Sequence, residues 1–243
     1  MKKYYESSWH GIPFTAFANV DTKKVAGAAF YDAFYKEFFN KYENWGSLDP
    51  GWVDYKLNVA ELILSRIPNQ NAPLLSAGCG LGFVEKYLIE SGISGLDINE
   101  VSAAPLQWLR PLIEESRIHL GNVPECLPPG KLYELVYLSA VDYCFDNAAL
   151  QAYLGGIRSR LVHRGRCLVV SGSFDQGGLV RHAKHLVRRA LNSLGLLRHR
   201  GQLWGYLRTR ADYRTAMRTA NFVQIEDGFL SNGVYWIEGG RND

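Results

Sequence analysis

The stretch Leu74-Leu75-Ser76-Ala77-Gly78-Cys79-Gly80-Leu81-Gly82-Phe83 carries an apolar run straight into three alternating glycines, and a helical pattern from Val84 to Ile89 follows at once. Read together, these are a buried strand, a tight loop and a helix start. Glycine suits such a loop because the turn needs unusual dihedrals and a ligand must reach the backbone without meeting a Cβ. The helix start adds free N–H groups for an anionic or polar ligand. Further along, Gly95-Leu96-Asp97 is expected to end a second strand, with Asp97 lying 19 residues past Gly78. A carboxylate at that spacing can accept both hydroxyl hydrogens of a ribose. The order strand, loop, helix, strand, acid therefore reads as a nucleoside site.

Outward from this stretch, short β-rich runs alternate with loops or helices: Pro73–Ala77, Ser94–Asp97, Arg117–Leu120, Glu134–Ser139 and Arg166–Ser171. Such alternation predicts a parallel sheet with helices on both faces. Two last runs, Phe222–Phe229 and Gly233–Glu238, are joined only by Leu230-Ser231-Asn232, too short for a parallel crossover. The last strand is therefore expected to be antiparallel. Upstream, the first 70 residues look helical. Val25 to Tyr42 is one helix and Asp54 to Ile67 a second, with Asp54 as its cap and Pro68 as its stop. The whole is expected to be one α/β domain over residues 1–243. It divides into a helical N-terminal cap (1–70), a cofactor-binding core (71–175), a basic helical insertion (176–210), and a last helix with a strand hairpin (211–243).

Composition excludes several classes. Of 243 residues, 47% are hydrophobic and 21% charged, which fits a folded domain with a real core and not a disordered, collagenous or coiled-coil chain. The four cysteines lack any Cys-x-x-Cys pairing, so neither a disulfide framework nor a structural zinc site is expected, and no metal site is assigned. They read as thiols of a reducing compartment. No apolar run approaches the roughly 18 residues of a membrane span, and the start lacks the apolar stretch of a secretory signal. A cytoplasmic location is expected. The net charge of +3 is too mild to imply a nucleic-acid binder, but it conceals an asymmetry. Arg181 to Arg218 holds ten Lys/Arg and one acid, Asp212, leaving 17 basic against 23 acidic residues elsewhere. That segment reads as a solvated or packed helix, as an attractor for a phosphorylated or acidic substrate, or as a surface for peripheral contact with an anionic membrane or RNA.

A dinucleotide fingerprint would need glycine at position 83, where Phe83 stands. The G-x-G-x-G spacing instead resembles the class I, Rossmann-like S-adenosylmethionine (SAM)-dependent methyltransferases, from about Pro73 to the C-terminus. The resemblance implies a doubly wound, mostly parallel seven-stranded sheet with an antiparallel last strand. It implies SAM as cofactor and S-adenosylhomocysteine as product. Carried over by position, Gly78, Cys79, Gly80 and Gly82 would lie against the methionine part, with Ser76 where many members have an acid. Asp97 would bind the ribose, with Ile98 beside it. Asn122 and Val123 would meet the adenine, and Ser139-Ala140 the methionine amine. Tyr31, in Tyr31-Asp32-x-x-Tyr35, is similar to tyrosines that cover the cofactor in small-molecule members.

Just past the fourth strand, Asp142 is nominated as a general base and Tyr143 as a positioning group. Asp142 as a turn cap and Tyr143 as packing is the alternative. Trp9, His10, Trp45, Trp52 and Tyr55 either line a substrate pocket or belong to the core. No Asp/Asn-Pro-Pro-Tyr/Phe or Pro-Cys motif is present, which disfavours nucleic-acid base methylation. The resemblance thus implies methyl transfer to an O or N atom of a small metabolite, sugar or glycan, including acidic ones. An RNA-binding or membrane-associated relative is the alternative.

Overall fold

The computed structural model describes residues 2–172, 174–175 and 201–243. Strand β1 (Lys2–Glu6) and a small hairpin of β2 (Ser8–Trp9) and β3 (Ile12–Pro13) come first, followed by helices α1 (Ala28–Lys41) and α2 (Pro50–Arg66). The N-terminal segment is thus not purely helical. Helix α2 also starts a turn earlier than Asp54 suggests. Asp49 accepts the Trp52 N–H at 2.9 Å and Pro50 occupies the first helical position. Asp followed by Pro satisfies an orphan donor and presets φ, so it is the stronger start signal.

The alternating unit follows: β4 (Leu74–Ala77), α3 (Phe83–Glu90), β5 (Leu96–Glu100), β6 (Ile118–Leu120), β7 (Tyr133–Ser139), α4 (Asn147–Ser159) and β8 (Leu161–Val170). Then come β9 (Gln202–Leu207), α5 (Arg210–Thr219), β10 (Val223–Phe229) and β11 (Tyr235–Gly240). Among the described residues, seven strands form one sheet in the order β10-β11-β8-β7-β4-β5-β6. All are parallel except β11, which runs antiparallel to both β8 and β10. The expected sheet and its closing hairpin are both present.

Alternation along the strands builds a core on each face. Leu74, Leu96, Ile98, Leu135 and Leu168 pack with Val59 and Ile63 of α2 and Val84 and Leu88 of α3. Leu75, Ala77, Val136, Leu138 and Val169 face Leu150 and Leu154 of α4 and Tyr213 and Met217 of α5. A third, aromatic cluster joins α1 to the glycine loop: Phe34, Tyr35 and Phe38 pack with Leu81. Burying each phenylalanine is worth about 2 kcal/mol, so this cluster fixes the N-terminal segment over the loop.

The expected insertion over 176–210 lies partly outside the described residues. Its described end, Gln202–Leu207, is the strand β9, paired antiparallel with β1. Three of the basic residues just beyond are paired within the chain. Arg208 is fully buried and donates to the Asp142 carbonyl at 2.8 Å and the Asn147 side chain at 3.1 Å. Arg210 and Arg214 both clasp Asp227. The rest of the expected basic insertion, residues 176–200, lies outside the described residues. Among the described residues, no helix is long and apolar enough to cross a membrane.

Candidate functional site

The second strand runs past Asp97. Leu75 pairs with Asp97 and Ala77 with Asn99, so Asp97 sits mid-strand and Glu100 stands at the carboxyl end. Strand β5 tolerates its polar residues because each is satisfied. Asn99 donates to the carbonyls of His119 (2.9 Å) and Gly121 (2.8 Å). Asp97 is 1% exposed and accepts from His119 Nε2 at 2.7 Å, from the Tyr133 hydroxyl at 3.0 Å, and from Lys131. Burial pushes its carboxyl up, but those hydrogen bonds outweigh burial and hold it below the usual range. It is a tied-down structural anion on the sheet.

Glu100 is oriented differently. One carboxylate oxygen accepts the Gly80 N–H at 2.9 Å and the other the Val101 N–H at 2.8 Å. Burial raises its carboxyl above the usual range, opposed by those two N–H donors. The loop it grips is built on left-handed backbone, with φ of 81°, 57° and 70° at Gly78, Gly80 and Gly82. A Cβ on Gly82 would lie 2.5 Å from Leu109, whereas the nearest atom to one on Gly80 is the Tyr35 hydroxyl at 3.7 Å. Gly82 is therefore required by packing, and Gly80 leaves open space over the backbone.

That space belongs to a cavity of about 690 Å³ at the carboxyl ends of the parallel strands, the place where ligands bind in open α/β sheets. Of the residues expected in the site, Tyr31, Gly78, Cys79, Gly80, Gly82, Asn122, Val123, Ser139, Ala140 and Tyr143 line it. Trp9, Trp52 and Tyr55 also line it, while His10 and Trp45 do not. Ser76, Asp97, Ile98 and Asp142 stand outside it. Ser76 gives its hydroxyl to Glu85 at 2.6 Å, and Ile98 is buried in the core against α2 and α3. Asp142 is fully buried with its carboxylate turned inward, where it accepts from Tyr213, from Ser171 at 3.3 Å and from the Gly172 N–H at 3.1 Å. The nomination of Asp142 as a base facing a substrate is corrected accordingly.

Sequence reasoning missed Glu100, Glu85, Lys56 and Trp204, all lining the cavity. Glu100 lay three residues past the nominated acid. Glu85 lay in the first turn of a helix already recognised. Trp204 is brought by β9 and stacks on Tyr143, with ring centroids 6.0 Å apart and planes 17° from parallel. The Tyr31 and Tyr143 hydroxyls are held well above the usual phenol range, chiefly by burial, so both remain neutral donors. Cys144 is pushed up to about 12, also chiefly by burial, and is no thiolate nucleophile. Among the described residues, no cluster of three His, Cys, Asp or Glu could hold a metal ion.

No protein-family model matches the chain, and no curated protein matches it in sequence. Solved structures do match in fold. The magnesium protoporphyrin IX methyltransferase of Synechocystis PCC 6803, crystallised with S-adenosylhomocysteine, gives a TM-score of 0.63 at 16% identity, covering 88% of this chain and 98% of that one. Human N-acetylserotonin methyltransferase in complex with SAM gives 0.55 at 16% identity over 89% of this chain. This chain spans only 57% of the human enzyme's length. PigF with S-adenosylhomocysteine gives 0.56 at 18% identity, covering 88% of this chain and 60% of PigF. The fold is that of the class I SAM-dependent methyltransferases.

Proposed function

We propose that this protein is an SAM-dependent methyltransferase that methylates an O or N atom of a small molecule. The observation that carries the reading is the junction of Glu100 with the glycine loop at the floor of the cavity. The residues present fit the cofactor. Bare backbone at Gly80 offers a bed that a Cβ would fill. Glu100 supplies the acid for the ribose hydroxyls, in the role expected of Asp97. Asn122 and Val123 lie where a base would be met, and Ser139 and Ala140 line the far side.

When bound, SAM supplies a methyl group on a sulfonium, activated for in-line displacement. The chain's own work is alignment and exclusion of water. Tyr31, Tyr143 and Trp204 wall the cavity above the loop, and strand β1 adds Tyr4. Neutral phenols there can orient an acceptor by hydrogen bonds without taking its proton. The solved neighbours named as acting on N-acetylserotonin and on magnesium protoporphyrin IX support a small-molecule acceptor. Calorimetric titration with S-adenosylhomocysteine tests the reading. Saturable binding at one site is expected, and a flat titration would remove its basis.

A further inference from the structure

Among the described residues that line the cavity, three carry formal charge: Glu100, Glu85 and Lys56. Glu100 is engaged by the loop at the β4–β5 side. The other two sit at the opposite side. Lys56, from α2, donates to the Ser139 hydroxyl at 3.1 Å, and Ser139 ends β7. Glu85, from α3, is 1% exposed. Its Oε1 accepts from Ser76 at 2.6 Å and from Tyr137 at 2.9 Å, and its Oε2 has no hydrogen-bond partner among the described residues.

Strand order gives these groups a direction. With the strands running β7-β4-β5-β6, a nucleoside gripped by Glu100 and Asn122 occupies the β5–β6 side. The remainder of the ligand must then extend over β4 toward β7, where Lys56 and Glu85 wait. The Lys56 ammonium is accompanied by a hydroxyl and by the rings of Trp52 (5.7 Å) and Tyr55 (5.3 Å); the Glu85 carboxylate acts on it through space, but no carboxylate among the described residues closes an ion pair with it. A half-buried ammonium without an ion-pair partner and an unpaired buried carboxylate oxygen are both costly unless a ligand completes them. One chemical group completes both: the zwitterionic end of an α-amino acid.

We propose that Lys56 and Glu85 recognise the amino-acid end of the cofactor, Lys56 taking its carboxylate and Glu85 its ammonium. The pair stands in for a strand acid at position 76, where this chain has serine reaching back to Glu85. The inference rests on the cofactor reading above and adds which residues discriminate the ligand's charged end. It also makes α2, from the N-terminal segment, part of the binding site.

The test compares two ligands by calorimetry on the full chain: S-adenosylhomocysteine, and 5′-methylthioadenosine, which shares the nucleoside thioether but lacks the amino-acid end. Lys56→Gln and Glu85→Gln are each expected to weaken S-adenosylhomocysteine by about 10- to 100-fold, the range for a charged hydrogen bond. Binding of 5′-methylthioadenosine is expected to stay unchanged, which also reports an intact site, and Lys56→Arg should recover most of the loss. Equal weakening of both ligands in either variant would assign that residue to the fold and overturn its half of the proposal. Undiminished S-adenosylhomocysteine binding would overturn it as well, leaving the nucleoside site standing. If the unaltered protein takes neither ligand, the cofactor reading falls and the charge pair with it.

Discussion

The Glu100 carboxylate accepts the Gly80 N–H at 2.9 Å, tying the carboxyl end of β5 to the middle glycine of the loop after β4. Asp97, three residues earlier, instead holds His119, Lys131 and Tyr133 within the sheet. The two acids should therefore separate by experiment. Glu100→Gln is expected to weaken S-adenosylhomocysteine about 10-fold or more while leaving the melting temperature near that of the unaltered chain. Asp97→Asn should do the reverse, costing about 2 kcal/mol of stability through its lost charged hydrogen bonds with little change in affinity. Calorimetry and thermal melts on both variants check this, and the opposite pattern would return the ribose role to Asp97.

The glycines of the loop should separate in the same way. Alanine at either position must adopt a positive φ, a strain of about 1 kcal/mol. Gly82→Ala adds a Cβ 2.5 Å from Leu109, so it is expected to lower stability further and to express poorly. Gly80→Ala meets nothing closer than 3.7 Å and places its methyl over the backbone that a ligand would cover. Its melting temperature should fall by a few degrees at most, and S-adenosylhomocysteine binding should be largely lost. A Gly80→Ala chain that binds normally would argue that no ligand lies on this backbone.

What the sequence made legible follows from what kind of signal each residue gives. The apolar run Leu74–Ala77 and the glycines after it are local signals, and they placed strand, loop and helix correctly. The five parallel runs and the closing hairpin were legible because alternation and loop length are local too. Strand β5 was cut short because Asp97, Asn99 and Glu100 look like loop residues until their partners are known. Those partners are His119 of the edge strand, Gly121 just after it, and Gly80 of the glycine loop. Glu85 and Lys56 were invisible for a related reason. Each sits on a helix whose inward face can be counted from the sequence, yet what lies opposite depends on how α2 and α3 cross the sheet. Strand β9 escaped because its pairing with β1 joins residues about two hundred positions apart.

Asp142 offers a third prediction. Its carboxylate gathers Tyr213, Ser171 and the Gly172 N–H, while its carbonyl accepts from Arg208, so it knits the end of β7 to α5 and to the chain after β8. Burial pushes its carboxyl above the usual range, opposed mainly by Tyr213. Asp142→Asn retains the shape and some of the hydrogen bonds, so a loss of about 1–2 kcal/mol is expected in denaturant unfolding. Affinity for S-adenosylhomocysteine should be unchanged within about twofold, since no atom of the residue lines the cavity. A stable Asp142→Asn protein that binds normally but has lost transfer activity with an identified acceptor would restore Asp142 as the base.

The Lys56 ammonium is pushed down to about 8 by burial, with Glu85 pulling it partly back. The groups facing it are Glu85 from α3, the Ser139 hydroxyl from β7, and Tyr55 and Trp52 on its own helix. Because the folded value lies below that of an unfolded lysine, the ligand-free fold binds fewer protons than the unfolded chain between about 8 and 10.5. This group alone then makes the free protein more stable as pH rises through that window. Ligand affinity should move the other way. The cation that meets the ligand carboxylate is present below about 8 and lost above it, so S-adenosylhomocysteine binding should be flat near neutrality and weaken as pH climbs past 8. The ligand's own ammonium also titrates in alkaline solution, so Lys56→Arg is the control. Its guanidinium keeps its charge throughout, and the step near 8 should vanish from its affinity profile. A step of the same size at the same pH in Lys56→Arg would mean that another group titrates there.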